Sequence, residues 1–294
     1  LTNMNYNTIC VVFVVFLLMT KAKNITLRLP NSIDANGVEI IDENGERVIY
    51  AKRASAKVSL FSLLTSNIKI TEGFIDSPFL NYTIKNDVHN IVRVFEPKQK
   101  NNNKSDVRVS IEKIRLVNGN FEMFHDAGVE ISAEKIAAEG SFWLGDGKFN
   151  VNLAKISVDN GDILAKGIDF PLSKLESRDL FISDKKVQTK ILSAIYGKAK
   201  VSALGTIYID KEKYDLSFDM DAPAGTYPAG LKPLPFVMPA FKAHVKMLGD
   251  LKNPEFLTNV IFSGTEFNNL KIKQGQAQVQ VNLDQVVITS SSLK

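Results

Sequence analysis

The sequence predicts a mainly β protein, built from antiparallel strands behind a short apolar N-terminal segment. Three observations predict it. Apolar and polar residues alternate with period two through most of the chain after Asn24. Asn-Gly and Asp-Gly signals punctuate the alternating runs. Long stretches with helical periodicity are scarce. Period two places one side chain on each face of a strand in turn, so these runs read as strands with one apolar and one wet face.

The chain has 294 residues, enough for one large or two ordinary domains. Lys and Arg total 36 against 32 Asp and Glu, a net charge of only +4, so no nucleic-acid partner is expected. Hydrophobic content is 45% and charged content 23%, which excludes wholesale disorder. A single cysteine, Cys10, rules out an internal disulfide framework, and three histidines make a His-rich metal site improbable.

Ile9 to Met19 is an unbroken apolar run. As a helix it spans about 16 Å, against about 30 Å of bilayer hydrocarbon. It suits the apolar region of an export signal, or an anchor that leans on its flanks; a buried core strand is the structural alternative. Val11, Val12, Phe13, Val14, Val15, Phe16, Leu17 and Leu18 are its membrane-facing candidates. Lys21 and Lys23 follow the run and no basic residue precedes it, so charge does not set its orientation cleanly. Cys10 has no small-residue motif before it that would direct acylation, and reads as an inert apolar thiol.

The body alternates in four clear runs. Val107, Val109 and Ile111 alternate with Arg108, Ser110 and Glu112; Phe149, Val151 and Leu153 with Asn150, Asn152 and Ala154. Tyr214, Leu216, Phe218 and Met220 alternate with Asp215, Ser217 and Asp219; Val279, Val281 and Leu283 with Gln278, Gln280 and Asn282. Glu43-Asn44-Gly45, Val117-Asn118-Gly119, Gly145-Asp146-Gly147 and Asp159-Asn160-Gly161 are read as the turns that reverse the chain. Ser59–Asn67 reads as a short helix or a turn of one and Pro171–Arg178 as another, with Pro171 at an early helical position; Lys185–Ala194 fits helix or strand. The remainder reads as about 15 to 20 short strands.

Pro97–Asp106 is a polar, low-complexity loop or repeat boundary. Ala222–Ala240 holds five of the ten prolines, which cannot donate to a central ladder, and reads as a crossing or linker between sheet segments. A faint repeat runs through Ile68–Ile75, Ile114–Phe121 and Ile156–Ile163, with its glycines 46 and then 42 residues apart. Each copy reads as a strand, a turn at Gly73, Gly119 or Gly161, and a second strand. The domain reading is therefore a segment 1–23, a repeated sheet 24–221, a Pro-rich crossing 222–240, and a continuing sheet 241–294.

Catalytic signatures are missing: no phosphate loop, no Gly-x-Gly-x-x-Gly, no His-Glu-x-x-His, no Gly-x-Ser-x-Gly. His125-Asp126 has no companion histidine nearby and reads as a solvated turn. Asp219 and Asp221 share a strand face, where a paired-acid site competes with an ordinary solvated surface. Trp143 reads as packing. No cofactor is expected, and an envelope hydrolase lacks its nucleophile and base.

Gly37–Leu80 also carries a family pattern. Asp42-Glu43-Asn44-Gly45-Glu46 is followed by Leu60-Phe61-Ser62-Leu63-Leu64, then by Ile68, Ile70, Gly73, Ile75 and Pro78. The stretch resembles the opening of AsmA-like proteins, which include the TamB and YhdP types, and Val109–Phe124 repeats the theme. The anchor is short and the chain is far smaller than the bridge-forming members.

The resemblance implies an elongated, twisted antiparallel sheet curled into an apolar groove, with a short N-terminal hydrophobic helix. It implies a single anchor in a bacterial inner membrane and a body in the periplasm. The function it implies is non-enzymatic lipid binding or transfer, with phospholipid acyl chains carried along the groove between inner and outer membranes. The alternative is a periplasmic scaffold for outer-membrane protein assembly, acting by strand addition. Alternation alone does not separate an open trough from a closed sandwich; the resemblance favours the trough. Its expected lining is Val109, Ile111, Val151, Leu153, Leu216, Phe218, Val279 and Val281.

Overall fold

The computed structural model describes residues 24–28, 31–42, 44–59, 61–62, 67–86, 88–90, 108–145, 148–165, 167–227, 237–250, 254–267, 270–281 and 286–293. The expected anchor residues 9–19 and the polar stretch 97–106 lie outside them, as does the helix expected at the N-terminus. Sixteen strands are the elements of the described part. They form one mostly antiparallel sheet that is not closed.

The chain divides into two compact units, Leu1–Val151 and Asn152–Lys294. The first holds β1 (Asn24–Arg28), β2 (Ser32–Ile41), β3 (Arg47–Val58), β4 (Asn67–Lys85), β5 (Val88–His89), β6 (Arg108–His125) and β7 (Val129–Gly145). β8 (Lys148–Ala165) carries the boundary between the units. The second unit continues with β9 (Ile168–Ser183), β10 (Lys186–Tyr196), β11 (Ala199–Tyr208), β12 (Lys213–Ala222), β13 (Phe241–Asp250), β14 (Pro254–Phe267), β15 (Leu270–Val281) and β16 (Val286–Leu293).

In the first unit the order is β1-β2-β3-β4-β6-β7, with β5 pairing only with β4. The β2–β3 hairpin turns where Asn44-Gly45 predicts it. Gly45 has φ of 83° and donates to the Asp42 carbonyl, and Asp42 Oδ1 accepts from the backbone of Asn44 and Glu46. β4 and β6 pair in parallel, from Asn67 beside Arg108 to Ile84 beside His125.

Three of the glycine positions expected to turn the chain do not. Gly73 lies inside β4, Asn118-Gly119 inside β6, and Asp159-Asn160-Gly161 inside β8. The repeat copies thus fall in the three strands of 18 or 19 residues, and each runs straight through. At Asn118 the left-handed backbone forms a β-bulge: Val117 and Asn118 together oppose one residue of β7, between the Leu116–Ala138 and Gly119–Ile136 pairs. A second bulge sits at Glu112-Lys113, and β7 has its own at Glu134-Lys135, opposite Asn120.

Those bulges explain why the apolar spacing of β6 changes phase. Val109 and Ile111 are followed by Ile114 and Leu116, then by Phe121 and Met123. Each extra residue shifts the parity by one, and the apolar side chains stay on one face.

Pro171–Arg178, expected as a helix, lies within β9. Leu172 pairs with Tyr196 and Ser177 with Leu192, while a bulge at Lys174, with φ of 50°, inserts one residue between them. That insertion sets Leu172 and Leu175 three apart, which imitates helical spacing. Of the Ser59–Asn67 segment, Phe61-Ser62 forms a tight turn held by Ser62 N–H to the Ser59 carbonyl at 3.0 Å. Lys186–Tyr196 resolves as strand. The Pro-rich stretch after Ala222 connects β12 to β13, which pair with each other over their full length.

Candidate functional site

Each unit has an apolar face, built row by row from cross-strand pairs. In the first, one row runs Ile40–Ile49–Leu80–Phe121–Ala133 over β2, β3, β4, β6 and β7. Another runs Ala35–Ala54–Ile75–Leu116–Ala138, and a third Val58–Ile70–Ile111–Phe142. The expected pair Val109 and Ile111 belongs here, beside Ile68 and Ile70 of β4 and Leu144 and Phe142 of β7.

In the second unit, Leu216 pairs with Met247, which pairs with Phe256. The backbone register then sets Val281 opposite Phe256. The next row is Leu192–Ala203–Phe218–Val245–Thr258–Val279–Ile288, spanning seven strands from β10 to β16. Three expected residues, Leu216, Phe218 and Val279, are therefore on one face of one unit. Val151 and Leu153 stand two apart in β8 and share its side, one on each side of the unit boundary.

Val109, Ile111, Val151, Leu153, Leu216, Phe218 and Val279 are all half-buried rather than buried. A closed sandwich would remove such mid-strand residues from water. Only ten apolar residues are buried among the described ones. Three of them, Ala35, Val38 and Ala51, cluster at one level of the first unit. Ala199, Ala222 and Phe241 cluster at one end of the second, where Met238 of the Pro-rich connection packs over them. Gly225 N–H donates to the Met238 carbonyl at 2.8 Å, closing that end of the face.

The opposite faces are polar and carry ion pairs. In the first unit Arg28 and Arg53 both reach Asp34, at 3.2 and 3.0 Å, Lys57 meets Glu72 at 2.6 Å, and Lys69 meets Glu112 at 2.6 Å. Lys57 donates a hydrogen bond to Glu72 and its charge lies alongside, which lowers the Glu72 pKa below the ordinary glutamate value. On the apolar face, burial of Tyr82 in the row with Met123 and Ile131 raises its phenol pKa.

In the second unit a polar row runs Ser193–Ser202–Asp219–His244–Asn259–Gln278–Ser290. Asp219, weighed above as half of an acid pair, is bonded to His244 Nδ1 at 2.8 Å; Asp221 lies 3.6 Å from Lys242. The two acids are rungs of an ion-paired surface. A depression of about 580 Å³ lies on this face, bordered by Lys174, Ser193, Lys200, Ser202, His244 and Asn259 among others. The sequence marked its Asp219 and Asp221 but not its cations. Lys174 and Lys200 lie outside the alternating runs read from the sequence, and only the register brings them to this face.

His125-Asp126 forms the β6–β7 turn, as expected. Gly128 donates to the His125 carbonyl, His125 Nδ1 accepts from the Ala127 backbone at 3.0 Å, and Asp126 Oδ2 accepts from Asn86. Among the described residues no group of three or more His, Cys, Asp or Glu side chains is placed to hold a metal ion, and no helix is long and apolar enough to cross a membrane. No family model, no curated protein and no solved structure matches the chain.

Proposed function

We propose that the chain is a non-enzymatic lipid-binding module that carries phospholipid acyl chains on its apolar faces. The observation that supports this reading is the row Leu192–Ala203–Phe218–Val245–Thr258–Val279–Ile288 and its neighbours. These are continuous apolar surfaces whose mid-strand residues stay half-open to water. Each methylene moved from water onto such a surface gains about 0.8 kcal/mol, so a long acyl chain takes the place of a missing second layer. Headgroups stay at the rim in water. A surface of this kind depends on no single residue, and needs no nucleophile. The sheet is proposed to be elongated and curled, so that the acyl chains lie in a trough. The apolar run Ile9–Met19 supports an anchored or exported protein, and the resemblance to AsmA-like proteins supports a bacterial inner-membrane anchor with the body in the periplasm.

The test uses the full chain, with Phe218→Asp and Leu153→Asp beside the parent. Photo-crosslinking to phospholipid and native mass spectrometry report capture; thermal melting reports the fold. In an open trough water reaches the new carboxylate, so melting changes little while lipid capture is lost. A buried, unpaired carboxylate in a closed core costs several kcal/mol and unfolds the protein. Loss of melting in the variants, together with no lipid crosslink in the parent, overturns the proposal.

A further inference from the structure

We infer that the second unit has an anion site on its polar face, for a phosphate-type oxyanion and separate from the acyl-binding face. The site is the β9–β11 side of a depression of about 580 Å³ that extends to β14. Its two acids are already engaged: Asp219 by His244 at 2.8 Å, and Asp221 by Lys242 at 3.6 Å. Two cations on its border are not. The side chains of Lys174 and Lys200 make no ion pair or hydrogen bond among the described residues.

The local backbone brings them there. Lys200 is held by register opposite Asp221, one position from Ser202 along the polar phase of β11. Lys174 is a bulge residue: it and Leu175 together oppose Ala194, with left-handed φ of 50° at Lys174. A bulge re-aims the side chain it carries, and here the re-aimed chain borders the depression. Ser193 and Ser202 face each other across β10 and β11, and their side chains make no hydrogen bond among the described residues.

The unused capacity is therefore two positive charges and two hydroxyls, all able to donate. A concave surface focuses the field of its charges, and lysine meets phosphate as a point charge. A phosphate or phosphate monoester satisfies this set; a cation does not, because both carboxylates are spoken for. The ligand is either a free phosphate solute or the headgroup of a phospholipid approaching from outside.

The probe is inorganic phosphate, titrated into the full chain at low ionic strength and followed by amide chemical shifts and calorimetry. The expected result is saturable binding that moves the amides of Lys200 and Ser202 and weakens with added salt. Lys174→Gln and Lys200→Gln each weaken it about threefold to tenfold, and Asp221→Asn strengthens it by a similar factor. Lys246→Gln, on the same face but outside the depression, leaves it unchanged.

The opposite sign for Asp221→Asn separates an anion site from loss of fold, which would weaken binding in every variant. Glycerol phosphate and phosphatidylglycerol vesicles identify the source: vesicle binding that depends on Lys174 and Lys200 assigns the headgroup, and binding of the soluble compounds alone assigns a free solute. No shift at Lys200 and Ser202 in millimolar phosphate, or equal losses in the Lys246 and Lys200 variants, overturns the inference. Phe218→Ser, uncharged and on the other face, leaves phosphate affinity unaltered, so this proposal and the acyl-binding proposal fail independently.

Discussion

Ser77 of β4 and Asn118 of β6 lie side by side across a parallel strand pair, and both have left-handed backbone, with φ of 50° and 55°. The flanking pairs Asp76–Val117 and Phe79–Asn120 fix this alignment. Gly37 of β2 (φ 62°) falls at the same level, between the pairs Asn36–Arg53 and Val38–Ala51 that join β2 to β3. On the other side Lys135 of β7 (φ 53°) donates its N–H to Asn120 Oδ1 at 3.2 Å. One level of the first unit is thus marked by left-handed residues in four strands.

Left-handed backbone costs a residue with a Cβ about 1–2 kcal/mol, and most when the side chain branches there. Asn118→Val is expected to destabilise by that amount, and Ser77→Gly to stabilise by about 1 kcal/mol. Urea unfolding of the two variants checks both signs. Equal stability of Asn118→Val and the parent would mean that the bulge relaxes when its asparagine is removed.

Gly275 of β15 is buried opposite Phe262, whose ring covers it, and a Cβ at that position would collide with the ring. This is an aromatic side chain packed over a strand glycine. Gly275→Ala is expected to cost about 1–3 kcal/mol by overpacking. Phe262→Leu should recover part of that loss, so a double-mutant cycle over the pair gives a non-zero coupling energy.

The Lys57–Glu72 rung makes stability depend on acidity with a defined sign. The folded pKa of Glu72 is lowered, first by the Lys57 hydrogen bond and then by its charge. Its contribution is therefore present above the ordinary glutamate pKa and is lost as pH falls through the folded value. Both groups are exposed, so the effect is small. Glu72→Gln should lower the melting temperature slightly at neutral pH and leave it equal to the parent in strong acid. A difference that grows on acidification would contradict the pairing.

Tyr82 offers a reporter for the apolar face of the first unit. Desolvation raises its folded pKa, so its contribution to stability is complete below the unfolded tyrosine value and is lost as pH rises through the folded one. Acyl chains covering the face would desolvate the phenol further and move its ionisation higher. Ultraviolet titration with and without lipid measures this, and Tyr82→Phe assigns the signal. An unchanged titration in a lipid-saturated sample would remove Tyr82 from the covered surface.

The strands were legible because alternation is a direct imprint of the pleat: Val109–Ile111, Leu216–Phe218 and Val279–Val281 all lie in strands. The turns were less so. Asn118-Gly119 and Asn44-Gly45 carry the same local signal, a preference for left-handed backbone. One bulges a strand in passing and the other reverses it, and only the neighbouring strand decides which. The Lys174 bulge hid β9 behind helical spacing for the same reason. Convergence of Lys174, Lys200 and Ser202 was not legible at all, because the register that unites them joins segments with no mark of their partners.

The charged rungs have a consequence for how this sequence can change. Asp34 with Arg28 and Arg53, Lys57 with Glu72, Lys69 with Glu112 and Arg115 with Glu139 each match one strand to the next by sign, and a slip of one residue would break the match. The alignment of the strands is thus written on both sides, since the same slip would turn the apolar rows to water. On the apolar side the phase of the rows matters more than which apolar residue fills most positions. Val, Ile, Leu, Phe and Met can replace one another there over many generations without the strands losing their places, while each exposed rung on the other side adds a small preference of its own for the same alignment.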